Sequence, residues 1–309
     1  MAKMSFPTES EIAAAGARIR AGQLVAFPTE TVYGLGANAL SLRAVTRIFA
    51  AKGRPASSPL IVHVDSVEMA RSLVREWPRE ADLLTELFWP GPLTLVLKKK
   101  RKVPDLITAG LPTVALRQPV HPVALALIRA AGVPIAAPSA NRFTQLSPTT
   151  AEHVWRAGLA DMVLDGGPSS IGIESTVLSL AEDRPVLLRP GSITVPQLES
   201  VVGPVEVRLE SSAAAHASPG QHKQHYQPVT PLHLGGPLKT GRGAYLWLRK
   251  PLRAARSIAM PDNAAEYAAI LYSTLHEMDA EHLDWIAVEM PPDEPEWSGV
   301  RDRLTRAGR

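Results

Sequence analysis

The chain has 309 residues, 45% of them hydrophobic and 20% charged, with a formal net charge of +3 and no cysteine. That length suits two domains with a sizeable core, and the composition is globular rather than disordered or fibrous. The missing thiols exclude disulfides, cysteine catalysis and cysteine-ligated metals, and the small positive charge is compatible with a nucleotide or nucleic-acid partner without requiring one.

The opening stretch, MAKMSFPTESEIAAAGARIRAG, has no apolar run followed by a small-residue cleavage site and reads as the lead-in to a helix. No window approaches the length of a membrane span, so the expectation is a cytoplasmic protein with no membrane partner. From there β-rich runs alternate with amphipathic stretches. Residues 24–29, 60–64, 93–98, 113–117 and 161–165 are predicted strands, with two more at 175–180 and 185–191. Residues 40–52, 67–88 and 121–131 are predicted helices. Glycine and proline punctuate the junctions. This alternation predicts an α/β fold for a first domain over 1–204, a linker or ordered loop over 205–236, and a small second α/β domain over 237–309. In the tail, 243–249 and 284–290 are predicted strands and 263–278 a helix, and GVRDRLTRAGR could start another. A unit that small is light on core and should lean on its neighbour.

Phosphate-binding P-loops, a complete G-x-G-x-x-G, a nucleophile elbow and H-E-x-x-H are all missing. Polar clusters stand instead where predicted strands end, the position where α/β proteins gather their ligand sites. FPTETVYGLG offers Thr29, Thr31 and Tyr33, with Gly34 and Gly36 clearing space; a tight strand–helix turn is the plainer reading. KGRPASSPL sets Lys52 and Arg54 beside stiff prolines with Ser57 and Ser58 between, which suits a polyphosphate or simply a helix end that favours cations. APSANRFTQLSPTT supplies Ser139, Asn141, Ser147 and Thr149, and DGGPSSIGIESTV with LLRPGSIT adds Ser175, Thr176 and Arg189. KKKRK, at 98–102, reads as a solvated strand-end loop before an RNA contact.

Taken together and in order, PTETVYGLG, KGRPASSPL, FWPGPLT, PSANRFTQLSPT, DGGP…ESTV and LRPG resemble the YrdC-like family from Met1 to about Gly203, and SPGQHKQHYQP with the α/β tail is similar to the family's long, two-domain form. The resemblance implies a twisted, partly open α/β sheet with a concave, positively lined face, joined by an ordered linker to a smaller Rossmann-like domain. It also implies an ATP-dependent nucleotidyltransferase that joins L-threonine, bicarbonate and ATP into threonylcarbamoyl-AMP and pyrophosphate. A downstream tRNA threonylcarbamoyl transferase would place the group on the adenosine beside the anticodon. By the same resemblance Lys52 and Arg54 neutralise phosphates together with Mg²⁺, which no side-chain cluster alone would hold. Threonine lies against Thr31, Tyr33, His63, Arg117, Ala137 and Ser175. ATP meets Lys52, Arg54, Ser58, Thr113, Ser139, Asn141, Ser147, Arg189 and, as a lid, Tyr226. The chain departs from the pattern at Ser58, where asparagine is common, at Gln227 in place of alanine, and in its short tail. A competing expectation is a non-catalytic module that binds double-stranded RNA or tRNA through KKKRK, for which a steep salt dependence would be the sign.

Overall fold

The computed structural model describes residues 6–209 and 225–308. Thr8 opens the first helix with a reciprocal capping box to Glu11. The elements follow as α1 (Glu9–Arg20), β1 (Val25–Phe27), β2 (Gly34–Asn38), α2 (Leu42–Lys52), β3 (Ile61–His63), α3 (Val67–Leu73) and α4 (Arg79–Phe88). Next come β4 (Leu93–Lys98), β5 (Thr113–Arg117), α5 (Pro122–Ala131), β6 (Ile135–Ala136), α6 (Ala151–Ala157) and β7 (Met162–Val163). β8 (Thr176–Ser179), β9 (Val186–Arg189), α7 (Val195–Val202) and β10 (Glu206–Val207) complete the first unit. Among the described residues these strands form one mixed sheet in the order β10-β9-β8-β4-β5-β3-β6-β2-β1-β7.

Two expectations are corrected. The predicted helix over 67–88 is two helices, because Val74 turns extended and Pro78, which disfavours helical backbone at the residue before it, caps the second. The predicted strand–helix turn at Phe27–Gly36 is instead a strand–turn–strand, with Val25↔Gly36 and Phe27↔Gly34 paired antiparallel. Its glycines fill a packing need: a Cβ on Gly36 would stand 2.8 Å from the Phe27 ring and 2.9 Å from Ile135.

Strand alternation decides where the site can be. Val62, Val114, Leu116, Leu95, Leu97 and Leu178 point into the main core with helices α2 to α4. The intervening Ile61, Ala115, Val96, Val177, Val186 and Leu188 face the other side, and the same period puts His63 and Arg117 there too. At one end α1 and α5 cover that second face, packing on Val25, Phe27 and Ile135.

The tail contains β11 (Leu232–Leu234), β12 (Gly243–Trp247), β13 (Arg256–Ala259), α8 (Ala264–Ala280), β14 (Trp285–Val288) and α9 (Ser298–Ala307). Its sheet is parallel in the order β11-β14-β12-β13. As expected of a small unit, it leans on its neighbour: its core cluster takes in Val32, Leu146 and Ile173 of the first unit and Tyr226 of the linker. A Cβ on Gly172 would lie 2.3 Å from the Ala268 carbonyl, so α8 sits directly against the loop that precedes β8. No helix among the described residues is long and apolar enough to cross a membrane.

Candidate functional site

A cavity opens over the uncovered part of the second face. It is lined by Thr29, Thr31, Val32, Gly34, Arg54, Ile61, His63, Arg117, Ala137, Pro138, Ser139, Glu174, Ser175, Arg189, His225 and Tyr226. The contributions come from the β1–β2 turn, the loop after α2, the ends of β5, β6 and β9, and the linker, so local folding of distant segments assembles one pocket.

On one wall, Thr29 folds its own turn. Its hydroxyl donates to the Val32 carbonyl at 2.6 Å and accepts from the Val32 N–H at 3.2 Å, with Thr31 Oγ1 2.9 Å away. Arg117 then donates to Thr31 Oγ1 at 2.7 Å and to the Gly91 carbonyl at 3.2 Å, and pairs with Glu30 at 2.6 Å. On the other wall Arg189 donates to the Ser175 carbonyl at 3.0 Å and to Ser175 Oγ at 3.1 Å, and that hydroxyl lies 2.7 Å from Thr94 Oγ1. Arg54 donates to the carbonyls of Ser58 and Pro59 at 3.4 and 3.0 Å and lies over the Phe143 ring. All three arginines are buried. Burial lowers the Arg54 pKa to about 10, with Tyr226 opposing and Arg189 reinforcing the shift, so it remains a cation at neutral pH. Burial holds Arg189 below its ordinary value too.

The structure therefore brings Thr31, Arg54, His63, Arg117, Ala137, Ser139, Ser175, Arg189 and Tyr226 around one space. Other expected residues stand behind it. Lys52 donates to the carbonyls of Ser139 and Asn141, so its ammonium shapes the loop that carries Ser139. Burial, with Arg54 close by, drives its pKa well below the usual lysine range. Tyr33 has its ring in the main core, and its hydroxyl donates to the Gly167 carbonyl at 2.7 Å, pinning the DGGP loop. Asn141 spans its own loop to Gln145, and Ser147 donates to Glu174 at 2.6 Å. Ser58 is buried at the Arg54 loop. Thr113 shares the face of Arg117 but sits four residues down β5, about 13 Å away. Lys223 of the linker pattern lies outside the described residues.

Two acidic residues had no assigned role in the sequence reading although both stand inside its motifs. Glu30 is the buried partner of Arg117. Glu174 lines the cavity and accepts from Ser147, Tyr272 and Arg303. Burial works against its charge, but Arg303, Arg189 and these hydrogen bonds outweigh it and keep the carboxyl below its usual range. The P-T-E-T and E-S-T-V stretches carry the available signals, since a carboxylate amid buried cations is seldom idle.

Tyr226 enters from the linker with φ +62°, a left-handed conformation that costs a non-glycine residue about 1–3 kcal/mol. Its ring is buried and its hydroxyl has no hydrogen-bond partner among the described residues.

His63 gives a stability test. Burial, helped by the nearby Arg117, lowers its pKa from the ordinary 6.5 to about 3. Between these values the unfolded chain binds a proton that the folded chain refuses, so His63 favours folding fully above pH 6.5 and loses about 1.4 kcal/mol per pH unit below it. Denaturant titrations at pH 7 and pH 5 should show His63→Asn losing about one proton's worth of that slope relative to the wild type; an identical slope in both proteins would disprove the assignment.

A crevice over one face of an α/β sheet, with three buried arginines beside a threonine–serine shelf, defines a protein built to hold a small polar ligand together with an anion. The Sua5/YciO/YrdC family, described as "Telomere recombination", matches residues 17–191, and "Threonylcarbamoyl-AMP synthase, C-terminal domain" matches residues 193–308. The threonylcarbamoyl-AMP synthases of Bacillus subtilis and Pyrococcus abyssi are each 42% identical, over 97% of this chain and 93% and 94% of theirs. The crystal structure of Pyrococcus abyssi Sua5 complexed with L-threonine superposes with a TM-score of 0.92 at 41% identity, covering 98% of this chain and 95% of the other. The chain belongs to the YrdC/Sua5 family, in the two-domain form of its threonylcarbamoyl-AMP synthases.

Proposed function

We propose that the cavity joins L-threonine, bicarbonate and ATP into threonylcarbamoyl-AMP and pyrophosphate, for the threonylcarbamoyladenosine modification of tRNA. The observation that carries this reading is the convergence of Arg54, Arg117 and Arg189 on one space with Thr31, Ser139 and Ser175. A threonine-bound relative of closely similar fold supports the amino-acid half.

Chemically, the threonine amine captures the bicarbonate carbon to give a carbamate and water. A carbamate oxygen then bonds to the α-phosphorus of ATP while the bond to the bridging oxygen breaks, and pyrophosphate leaves with that electron pair. Two anions meet in this step, so fixed positive charge is needed more than a strong base. Arg54 and Arg189 supply it on the nucleotide side. Arg117, held by Glu30, faces the threonine carboxylate, and the Thr31 and Ser175 hydroxyls receive its polar atoms. His63 is neutral at working pH and serves as shape and dipole, not as a proton donor. Lys52 contributes by fixing the Ser139–Asn141 loop, and Thr113 would act only on a part of ATP that reaches down the sheet. Short lifetime in water makes it advantageous to form the carbamate beside the nucleotide, where positioning supplies much of the rate.

Among the described residues no three metal-binding side chains cluster. Mg²⁺ would be held mainly by phosphate and water oxygens, with Glu174 the carboxylate of the cavity lining; the ion would neutralise charge on the triphosphate. Pyrophosphate release should require threonine, bicarbonate and ATP together, and release unchanged without threonine would defeat the reading.

Tyr226 serves as the lid residue. Its left-handed backbone and a hydroxyl without a partner among the described residues are the marks of a side chain held ready for a ligand. Tyr226→Ala should weaken nucleotide binding, raising the KM for ATP at least about tenfold, the equivalent of one charge-free hydrogen bond plus ring packing. Wild-type steady-state kinetics would remove the idea.

For the RNA-binding alternative the basic cluster offers less than its sequence promises. Lys98 pairs with Glu76, Lys99 is buried against Asp105 and the Val103 carbonyl, and Lys100 bonds the Arg71 carbonyl.

A further inference from the structure

The largest fully buried side chain of the described residues is an arginine of the tail, Arg303 on α9. Most of its contacts reach out of the tail. Its Nε donates to Glu174 Oε2 at 2.7 Å, Nη2 to the Glu174 backbone carbonyl at 3.2 Å, and Nη1 to the Pro190 carbonyl at 3.0 Å. Glu174 and Pro190 are the chain neighbours of Ser175 and Arg189, so one guanidinium ties together the two backbone segments from which the cavity's serine and arginine project. Its Cζ also lies 5.3 Å from the centre of the Tyr226 ring, within cation–π range. Asp302 Oδ2 accepts from the same guanidinium at 2.6 Å, and Tyr272 of α8 donates to the same Glu174 carboxylate at 3.2 Å. Gly299, one turn earlier on α9, lets the helix approach: a Cβ there would stand 2.8 Å from the Gly191 carbonyl.

This arrangement exceeds what docking a tail requires. An apolar interface would hold the two units together at lower desolvation cost than a buried ion pair, and the tail already has one in Val32, Leu146 and Ile173. What a planar five-donor fork adds is geometry, because it bonds a carboxylate and two carbonyls in fixed relative positions. We propose that Arg303 is a positioning residue for the synthase reaction, through which the tail sets the placement of Ser175, Arg189 and Tyr226; this rests on the reading of the cavity as the reaction site. The tail is then part of the reaction site's scaffold, and the reactive geometry exists only when α9 is seated.

Arg303→Lys tests this in the full-length chain. Lysine keeps a charge for Glu174 but cannot hold both carbonyls as well. The expected result is a folded protein whose kcat for pyrophosphate release falls about 10²-fold, the scale on which a misplacement of about 1 Å acts, with a raised KM for threonine as Ser175 shifts. Arg301→Lys on the same helix, where the native side chain bonds the Pro291 carbonyl and pairs with Asp293 inside the tail, should keep wild-type kinetics. Folded Arg303→Lys with kcat and both KM values unchanged would overturn the proposal. If Arg303→Lys does not fold, Tyr272→Phe removes one donor from Glu174 and leaves Arg303 in place; it should lower kcat, and unchanged kinetics there would likewise overturn it. Arg54→Met, measured alongside, separates the two claims: a wild-type rate in that variant would sink the site reading itself, while a lost rate there with normal Arg303→Lys would sink the positioning role alone.

Discussion

Replacing Arg54 with methionine is expected to lower the rate of pyrophosphate formation by about 10²–10³-fold, the cost of removing one preorganised donor from a water-poor site, while the chain stays folded. The guanidinium is buried, is held in place by the Ser58 and Pro59 carbonyls and lies over Phe143. It therefore needs no reorganisation when charge gathers on the phosphates. Arg54→Lys should recover only part of the loss, because an ammonium cannot fork two oxygens and has to leave the carbonyls that orient the native side chain. The stability cost of Arg54→Met should be small beside the kinetic one, since the group it abandons is a pair of carbonyls near the cavity and not a buried carboxylate. Steady-state pyrophosphate release with ATP varied at saturating threonine and bicarbonate measures it. A variant within about threefold of the wild type in kcat/KM would show that the phosphates do not pass this residue.

Most of what makes that pocket was legible in the chain because its residues fall into short, ordered clusters at strand ends. His63 and Arg117 were reached only through the resemblance, since they stand on separate strands, β3 and β5, whose relative facing no local pattern sets; the proline-braced loops were enough to place Arg54 and Ser139 on rigid supports. What the residues could not disclose was which polar groups face inward to ligand and which outward to backbone. Lys52 and Arg54 are two residues apart in one motif, yet the first caps the Ser139–Asn141 loop and the second lines the cavity. Helix α2 ends between them at Gly53, in a left-handed turn with φ +64° that sends the two side chains separate ways. Tyr33 shows the same limit. Its ring fills the main core and its hydroxyl satisfies Gly167 and Gly166, neither of which is close in sequence. The same blindness to distant partners hid Arg303, which in GVRDRLTRAGR looks like one more basic residue of a terminal helix. Helix 67–88 failed locally instead: its apolar spacing runs through Trp77-Pro78, and the proline ring decided the break.

Arg117→Met is expected to destabilise the fold strongly, and its consequences can be divided. Arg117 and Glu30 are both almost wholly buried and pair at 2.6 Å. Removing the arginine strands a carboxylate in a low-dielectric turn, which costs about 3–5 kcal/mol, and takes a donor from Thr31, whose hydroxyl it meets at 2.7 Å. Glu30→Gln in the same chain discharges the stranded carboxylate, so the double variant Glu30→Gln/Arg117→Met should regain most of the lost stability in a denaturant titration. It should not regain threonine. If Arg117 faces the substrate carboxylate, its loss removes a charge-assisted hydrogen bond worth about 1.5–3 kcal/mol, equivalent to an increase of about 10- to 150-fold in the KM for threonine, and no change at Glu30 restores it. The KM for ATP should move little, because Arg54 and Arg189 stand on other segments. A double variant with both stability and threonine KM back at wild-type values would mean that Arg117 only neutralises Glu30, and the amino-acid side of the cavity would have to be sought nearer Ser175.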